Sequence, residues 1–194
     1  MPSALWANFT AAYLRVLTGE QPLLADLQWS YQLLCMPTFA STAHLLIGAG
    51  QSTGVVGFTW CDDQSAELFQ AVLQNDTVRL EQVIREQRRH CCSELAFVSL
   101  AECTAIEQRI SMLDPWSLEE IDLGGRDGIA LLLICQHSDR RFQVHCSNPT
   151  LPDDRRHLAI IAAILAWVHD HLHSESYRHY HAVLRSYMPG LDRA

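Results

Sequence analysis

The chain has 194 residues, 48% of them hydrophobic, and a formal net charge of -8. This length and composition suit one domain with a sizeable core, or one domain with a helical tail. A surface this acidic does not suit direct binding to nucleic acid, because phosphates demand clustered basic residues. All 14 basic residues are arginine, which excludes the lysine chemistry of Schiff bases and phosphate-binding loops.

The seven cysteines show no C-x-x-C spacing and mostly lie within apolar sequence, which indicates buried thiols in a reducing compartment. The N-terminus lacks the pattern of a secretory signal. The longest apolar run, residues 158–168, is shorter than the roughly 20 residues of a membrane span. We therefore expect a cytoplasmic protein that has no membrane partner.

Two amphipathic segments open the chain, residues 4–17 and 23–35. Both predict helices, and Gly19 and Pro22 break the pattern between them. Residues 44–50 and 54–60 are short runs rich in aliphatic and aromatic residues around a turn-forming Gln-Ser-Thr. This arrangement predicts a hairpin and the start of a sheet.

Residues 65–90 return to helical spacing, and the interruption Gln-Asn-Asp divides them into two helices. A strand over 94–100 and a helix over 101–113 are predicted next. Pro115 ends that helix because a proline pushes the preceding residue, here Asp114, out of the α region.

A second hairpin is predicted from the runs GIALLLICQ and RRFQVHCSN, which are joined at HSDR. The segment after it predicts a long helix over 153–172, with Thr150 as N-cap and Asp153 three residues later. This helix is apolar on nearly every side, so we expect it to pack against the sheet. A last polar helix is predicted over 175–188.

This order of elements predicts an α/β (α+β) fold, an α-β-α sandwich in which helices flank a mainly antiparallel central sheet. We expect residues 1–174 to form the domain and residues 175–194 to form a C-terminal helix and linker.

The stretch DLGGRDGIALLLI, residues 122–134, raises the question of a phosphate-binding loop. It matches no nucleotide-binding glycine pattern, and its glycines lead into a strand rather than a helix. We expect Gly124, Gly125 and Gly128 to set a turn. Residues 129–134 should then form a central strand buried on both faces, because the run does not alternate.

The histidine-rich segment HDHLHSESYRHYH begins at His169. His169 and His173 are four residues apart, would share a helical face and have the spacing of metal ligands. No glutamate stands between them as in H-E-x-x-H, and the segment lies where a buried helix emerges into water. We prefer a solvated polar helix end to a metal site, with a titrating histidine patch as the intermediate interpretation.

The adjacent Cys91 and Cys92 follow Arg-Arg-His, and neighbouring cations lower the pKa of a thiol. A redox sensor is therefore one interpretation of the pair. We prefer a structural role, because no resolving cysteine is evident in the sequence. No motif for a catalytic serine, cysteine or carboxylate pair is present either, so we expect a protein without catalytic residues, resident metal or cofactor.

The sequence from residue 121 through the long helix resembles the ligand-binding domain of LuxR-type quorum-sensing regulators. The matching parts are a glycine turn into a strand, GGRDGIALLLI, a hairpin, CQHSDRRFQVHCSN, and a capped apolar helix, PTLPDDRRHLAIIAAILAWVHDHL. The resemblance implies a sandwich related in shape to GAF and PAS sensor domains. It also implies transcription regulation by a homodimer that binds DNA through a helix-turn-helix beyond the residues of this chain.

Members of that family that bind acyl-homoserine lactones clamp the lactone with a Trp-x-x-x-Tyr pair on a helix and a following Asp. Here Ser65 stands for the Trp, Phe69 for the Tyr without its hydroxyl, and Asp76 for the Asp. Phe97 falls near a further aromatic of the family. The resemblance thus implies the ligand-binding residues Phe69, Asp76 and Phe97 in an orphan member, which takes a small, more apolar ligand or none.

The first functional hypothesis is therefore a sensor and dimerisation domain of a LuxR-type transcription regulator, without catalytic activity. The alternative is a stand-alone acidic protein-binding module, such as an anti-activator or a toxin-neutralising protein, with an acidic patch that faces a basic partner. An enzyme or metal protein that uses the histidine-rich tail is the third hypothesis.

Overall fold

A six-stranded antiparallel sheet organises the molecule. The computed structural model describes residues 4–19, 26–38, 40–61, 65–121, 128–149, 155–188 and 191. The strand order is β4-β3-β2-β1-β5-β6, and every neighbouring pair is antiparallel, as the sequence predicts. The strands are β1 (Trp29–Pro37), β2 (Thr42–Ala49), β3 (Gly54–Cys61), β4 (Cys91–Val98), β5 (Ile129–His137) and β6 (Arg140–Ser147).

Helices cover both faces of this sheet, which confirms the expected α-β-α sandwich. The described helices are α1 (Ala4–Thr18), α2 (Ser65–Leu73), α3 (Thr77–Arg88), α4 (Leu100–Ser111), α5 (Arg155–His171) and α6 (Glu175–Tyr187), with a short 3₁₀ helix at Pro115–Ser117. The helices α1, α2 and α3 pack on the side that we call the α1 face, and α4, α5 and α6 pack on the opposite α5 face. Among the described helices, none is long and apolar enough to cross a membrane.

The strand β1 divides its side chains between the two faces. Tyr31, Leu33 and Cys35 belong to the core of the α5 face, whereas Leu34 and Met36 join the core of the α1 face. Because successive side chains of a strand point to opposite sides, Ser30 and Gln32 also point to the α1 face.

The helix predicted over residues 23–35 is wrong where the structure describes it, because β1 begins at Trp29. All nine residues of β1 are buried, and the strand pairs with β2 on one edge and with β5 on the other. A strand that is covered on both faces loses the alternation of apolar and polar residues that identifies a strand in sequence. A short apolar run then fits a helix as well as a strand.

The other predicted elements within the described residues are confirmed, with shifts of a few residues at their ends. The strand predicted over 94–100 is β4, which ends at Val98 because Ser99 begins α4. The Ser99 side chain accepts a hydrogen bond from the Glu102 N–H, and the Glu102 carboxylate accepts one from the Ser99 N–H. This capping box fixes the start of α4.

The turn before β5 is described only from Gly128 onward, so Gly124 and Gly125 lie outside the described residues, as do Thr150 and Asp153. Gly128 has a φ of +137°, and a Cβ placed there would lie 1.8 Å from the Asn148 Oδ1 atom. Only glycine fits this position. The strand that follows is interior to the sheet, and the side chains of Leu131, Leu132, Leu133 and Ile134 are buried, as predicted.

The last helix, α6, is part of the main core. Tyr177, Tyr180 and Leu184 are buried against the α5 face. The hydroxyl of Tyr177 donates a hydrogen bond to the Leu165 carbonyl at 3.2 Å, and the hydroxyl of Tyr180 donates one to the Cys35 carbonyl at 3.4 Å. These bonds hold α6 to α5 and to β1.

Phe58 lies at the centre of the aromatic packing on the α5 face. It is 1% exposed, and its ring centroid lies 5.2 Å from those of Trp60 and Tyr177. We expect Phe58→Ala to lower the free energy of unfolding by about 3–5 kcal/mol, because it removes a buried ring and leaves a cavity. Urea denaturation measures the change.

The matched control is Phe97→Ala, since this ring is 65% exposed. It should change the stability of the protein by no more than about 0.5 kcal/mol. An equal loss for both variants would contradict the described packing of the core.

Candidate functional site

The α1 face of the sheet carries a row of buried polar side chains. His44 Nε2 lies 3.1 Å from Gln32 Oε1, and Gln32 Nε2 donates a hydrogen bond to Ser30 Oγ at 3.2 Å. The exposed fractions are 3% for His44, 6% for Gln32 and 1% for Ser30. Since an amide oxygen can only accept, the His44 Nε2–H is the donor to Gln32.

Two hydroxyl groups extend this row towards the edge of the sheet. Thr59 lies directly opposite His44 in the pairing of β2 with β3, and Thr59 lies opposite Ser93 in the pairing of β3 with β4. The hydroxyl oxygens of Thr59 and Ser93 are 3.0 Å apart. We call the five residues Ser30, Gln32, His44, Thr59 and Ser93 the polar ladder.

His44 is uncharged at neutral pH. Its burial lowers its pKa from 6.5 to about 4, since removal from water disfavours the charged imidazolium. A neutral imidazole that donates through Nε2 keeps Nδ1 as an acceptor. The polar ladder therefore offers neutral hydrogen-bonding groups and no net charge.

A cleft of about 420 Å³ lies on the same face, at the Ser30 end of the ladder. It is lined by Asp26, Leu27, residues 50–53 and Val55. Val55 lies in one row across the sheet with Gly48 and Ser30, and Leu27, Leu46 and Val55 form a small apolar cluster. Leu27 and Val55 thus form an apolar wall of the cleft near Ser30, whereas Asp26, Gln51, Ser52 and Thr53 line the rest of it with polar groups.

The three residues predicted to bind a ligand lie in different surroundings. Phe97 lies directly opposite Val55, beside this cleft, and is largely exposed. The ring of Phe69 packs edge-on against Phe9 of α1, with centroids 5.3 Å apart. Asp76 is exposed and caps α3, where its Oδ1 accepts a hydrogen bond from the Arg79 N–H at 3.0 Å. Only Phe97 is a neighbour of a cleft residue.

The expected shared helical face of His169 and His173 is wrong. Helix α5 ends at His171, and Ser174 caps the start of α6, so His173 lies between the two helices. The ring of His169 instead stacks on His181, with centroids 4.6 Å apart. Within the described part of the chain, no group of three or more His, Cys, Asp or Glu side chains could hold a metal ion.

Cys91 has a cross-strand neighbour that the sequence does not reveal. It lies opposite Cys61, and both thiols lie 3.6 Å from the Gln87 carbonyl oxygen. The hydrogen bond with Cys61, together with burial, raises the pKa of Cys91 and keeps its thiol protonated. This environment favours a structural role for Cys91, because the thiolate is the reactive form.

Comparison with models of known protein families gives no match, and none of the curated proteins matches the chain.

The buried state of His44 predicts a loss of stability in acid. The unfolded histidine takes up its proton near pH 6.5 and the folded one near pH 4, so the unfolded chain binds more protons between these values. This residue should therefore lower the free energy of unfolding as the pH falls from 6.5 to 4, by about 3 kcal/mol in all. Urea denaturation across this range, compared with His44→Gln, measures the difference.

His179→Gln is the matched control, because His179 is exposed and its replacement should preserve the acid sensitivity. If His44→Gln and the unmodified protein lose stability in parallel, His44 is accessible to protons in the folded state and the described burial is incorrect.

Cys92 differs from the other six cysteines because it alone is exposed. Ellman's reagent should therefore label one thiol rapidly in the native protein and the others only on the timescale of unfolding. Cys92→Ser should remove the rapid phase, and Cys91→Ser should retain it. A rapid phase that survives in Cys92→Ser would place a second thiol at the surface.

Proposed function

We propose that this chain is a non-catalytic sensor domain of the LuxR-type regulatory class that its sequence resembles, and that its ligand is a small molecule with an apolar body and a neutral polar head. The observation that carries the proposal is the polar ladder on the α1 face. The ladder would recognise the polar head, and the adjoining cleft would hold the apolar body.

The energetics of the polar ladder support a recognition role. Burial of a polar group costs free energy that its hydrogen bonds only partly return, so an apolar residue would serve a purely structural sheet at least as well. The ladder nevertheless places an imidazole, an amide and three hydroxyls close together on the α1 face, and of its five side chains only that of Ser93 is exposed. Fixed neutral donors and acceptors of this kind orient a ligand and reject analogues that leave them unpaired.

The apolar part of the proposed site is formed by Leu27, Val55 and Phe97. Leu27 and Val55 line the cleft, and the exposed ring of Phe97 lies beside Val55. An apolar ligand segment laid along these side chains would remove the Phe97 ring from water, which contributes about 25 cal/mol per Å² of buried apolar surface.

The state of His44 supports binding rather than catalysis at this site. Its low pKa, about 4, makes it a weak base at neutral pH, whereas an efficient general base has a pKa near the working pH. Its Nε2 atom is also engaged with Gln32.

An ordinary acyl-homoserine lactone is not the ligand that we propose. Phe69 has no hydroxyl and packs on Phe9, and the Asp76 carboxylate caps α3. Neither side chain is placed to clamp a lactone in the way that the family resemblance describes. As proposed, the ligand would act by biasing the geometry or stability of a homodimer, with DNA bound by residues outside this chain.

Differential scanning fluorimetry tests this function with two matched panels, acyl-homoserine lactones of increasing chain length and neutral alkyl amides and alcohols of similar size. We expect at least one neutral amphiphile to stabilise the protein and the lactones to have little effect. A ligand at about 100 times its Kd adds about 2.7 kcal/mol to stability, which corresponds to a rise in Tm of several degrees.

Gln32→Met should abolish that ligand-induced rise, because it removes the centre of the polar ladder at nearly constant volume. The control Gln143→Met replaces an exposed glutamine of β6 and should leave the rise unchanged. A large stabilisation by a long-chain lactone would refute the orphan assignment. If no compound stabilises the protein and native mass spectrometry finds no co-purified small molecule, the sensor proposal fails.

A protein-binding module is the second candidate, and the edge strand β4 favours it. Leu95 and Phe97 lie on the same face of this strand and are 48% and 65% exposed. An edge strand with adjacent exposed apolar side chains suits the addition of a strand from a partner. Failure of both small-molecule measurements would favour this function.

A further inference from the structure

The two outer strands of the sheet differ in how their edges are protected. At one end of β6, the Ile121 N–H donates a hydrogen bond to the His145 carbonyl at 3.0 Å, and the Ser147 N–H donates one to the Ile121 carbonyl at 2.9 Å. The other end of β6 begins with the exposed Arg140 and Arg141. A covering segment and charged side chains are two of the devices that keep a sheet edge from pairing with another chain.

The strand β4, at the opposite edge of the sheet, is fully described and has neither device. Its residues pair with consecutive residues of β3, so no bulge interrupts the strand, and it contains no proline or basic residue. Its acidic residue, Glu94, lies on the α5 face, where Oε1 accepts hydrogen bonds from the backbone N–H groups of His173 and Ser174. This charge therefore holds the start of α6 and does not protect the edge.

Exposed apolar side chains are concentrated at the β4 edge. Leu95 is 48% exposed, Phe97 is 65% exposed, and Leu100 at the start of α4 is 38% exposed. Leu95 and Phe97 lie on the α1 face, since Phe97 is opposite Val55 and Leu95 is opposite Gly57. A regular edge strand that exposes apolar side chains is a template for the strand of another chain.

The charges at the two ends of β4 are opposite in sign. Arg89 and His90 precede the strand and are exposed. Glu102, in the first turn of the helix that follows, caps that helix, and its side chain is 57% exposed. An antiparallel pair of β4 strands brings the basic end of each copy beside the acidic end of the other, whereas a parallel pair brings like charges together. The chain is therefore complementary to a second copy of itself in twofold, antiparallel orientation.

One antiparallel register pairs the exposed apolar side chains with each other. With Ala96 on the twofold axis, Leu95 of each copy lies opposite Phe97 of the other, and directly opposite side chains point to the same face. A register centred on Glu94 places two carboxylates opposite each other. A register centred on Leu95 or on Phe97 places the other apolar side chain opposite a serine.

We infer that the chain forms a homodimer in which two copies of β4 pair antiparallel about Ala96 and join the two six-stranded sheets into one. Leu95 and Phe97 of both copies then form one apolar cluster on the α1 face, which removes their side chains from water. Arg89 of each copy approaches Glu102 of the other. The dimer does not depend on the proposed ligand, but Leu95 of the second copy adds to the apolar side chains beside the cleft.

Analytical ultracentrifugation of the full chain over a series of concentrations tests the dimer. The mass should rise from that of one chain towards that of two. Leu95→Lys should weaken the dimer by about tenfold or more, because a lysine on an edge strand opposes pairing. The matched control is Leu73→Lys, since Leu73 of α2 is 51% exposed, and it should leave the dimer unchanged. Urea denaturation at concentrations where the chain is monomeric verifies that both variants are folded.

The charges at the ends of β4 allow a second measurement. Arg89→Glu should weaken the dimer by a few-fold, because it places a carboxylate near Glu102 of the other copy. Added salt should reduce this difference from the unmodified protein. Arg85→Glu makes the same change of charge at an exposed position within α3 and should leave the dimer unchanged.

A disulfide identifies the register. In a Cys92→Ser background, which removes the exposed native thiol, Ala96→Cys places two thiols across the axis. The Cα atoms of directly opposite residues lie about 4.5–5.5 Å apart, which a disulfide can bridge. Oxidation with copper phenanthroline should therefore give a covalent dimer. Ser93→Cys in the same background is the matched control, because its two thiols would lie six residues apart along the strands, roughly 20 Å.

Three outcomes would overturn this inference. They are a constant mass of one chain at every concentration, equal effects of Leu95→Lys and Leu73→Lys, and cross-linking of Ser93→Cys in place of Ala96→Cys. A chain that stays monomeric would leave β4 to the strand of a different protein. Gln32→Met should leave the dimer intact, so failure of the sensor proposal and failure of this inference are distinguishable.

Discussion

The position of β1 between β2 and β5 is the constraint on which the rest of the structure depends. Its backbone is paired along both edges, and its side chains enter two separate cores. A strand with no exposed face gains stability from both layers, so helices must cover the sheet on each side. The polar ladder depends on the same position, because Ser30 and Gln32 face inward only when residues 29–37 are extended.

The sequence predicts most of the helices and hairpins because their patterns are local. The apolar stripes of α2 and α3, the turn between β2 and β3 and the long apolar run of α5 each identify an element without reference to the rest of the chain. Residues 29–37 are different, since this nine-residue strand forms through pairing with two partner strands, one of which, β5, lies about a hundred residues later. The alternating Ser30 and Gln32 were the available sign of a strand with one polar side.

The candidate sites depend on pairings that no local pattern contains. His44 of β2 forms a hydrogen bond with Gln32 of β1, and Cys61 of β3 lies opposite Cys91 of β4. His169 meets His181 rather than His173 because Ser174 starts a new helix. Phe69 and Asp76 could be located on or beside their helices from sequence, but their packing and capping contacts could not, since these depend on α1 and on the exact start of α3.

The hydrogen bond from Tyr180 to the Cys35 carbonyl has a mechanical consequence. The strand β1 presents Ser30 and Gln32 to one side of the sheet and is tied through Cys35 to α6 on the other. A lateral shift of this strand therefore strains the tie and moves the helix that carries His181 and Arg185.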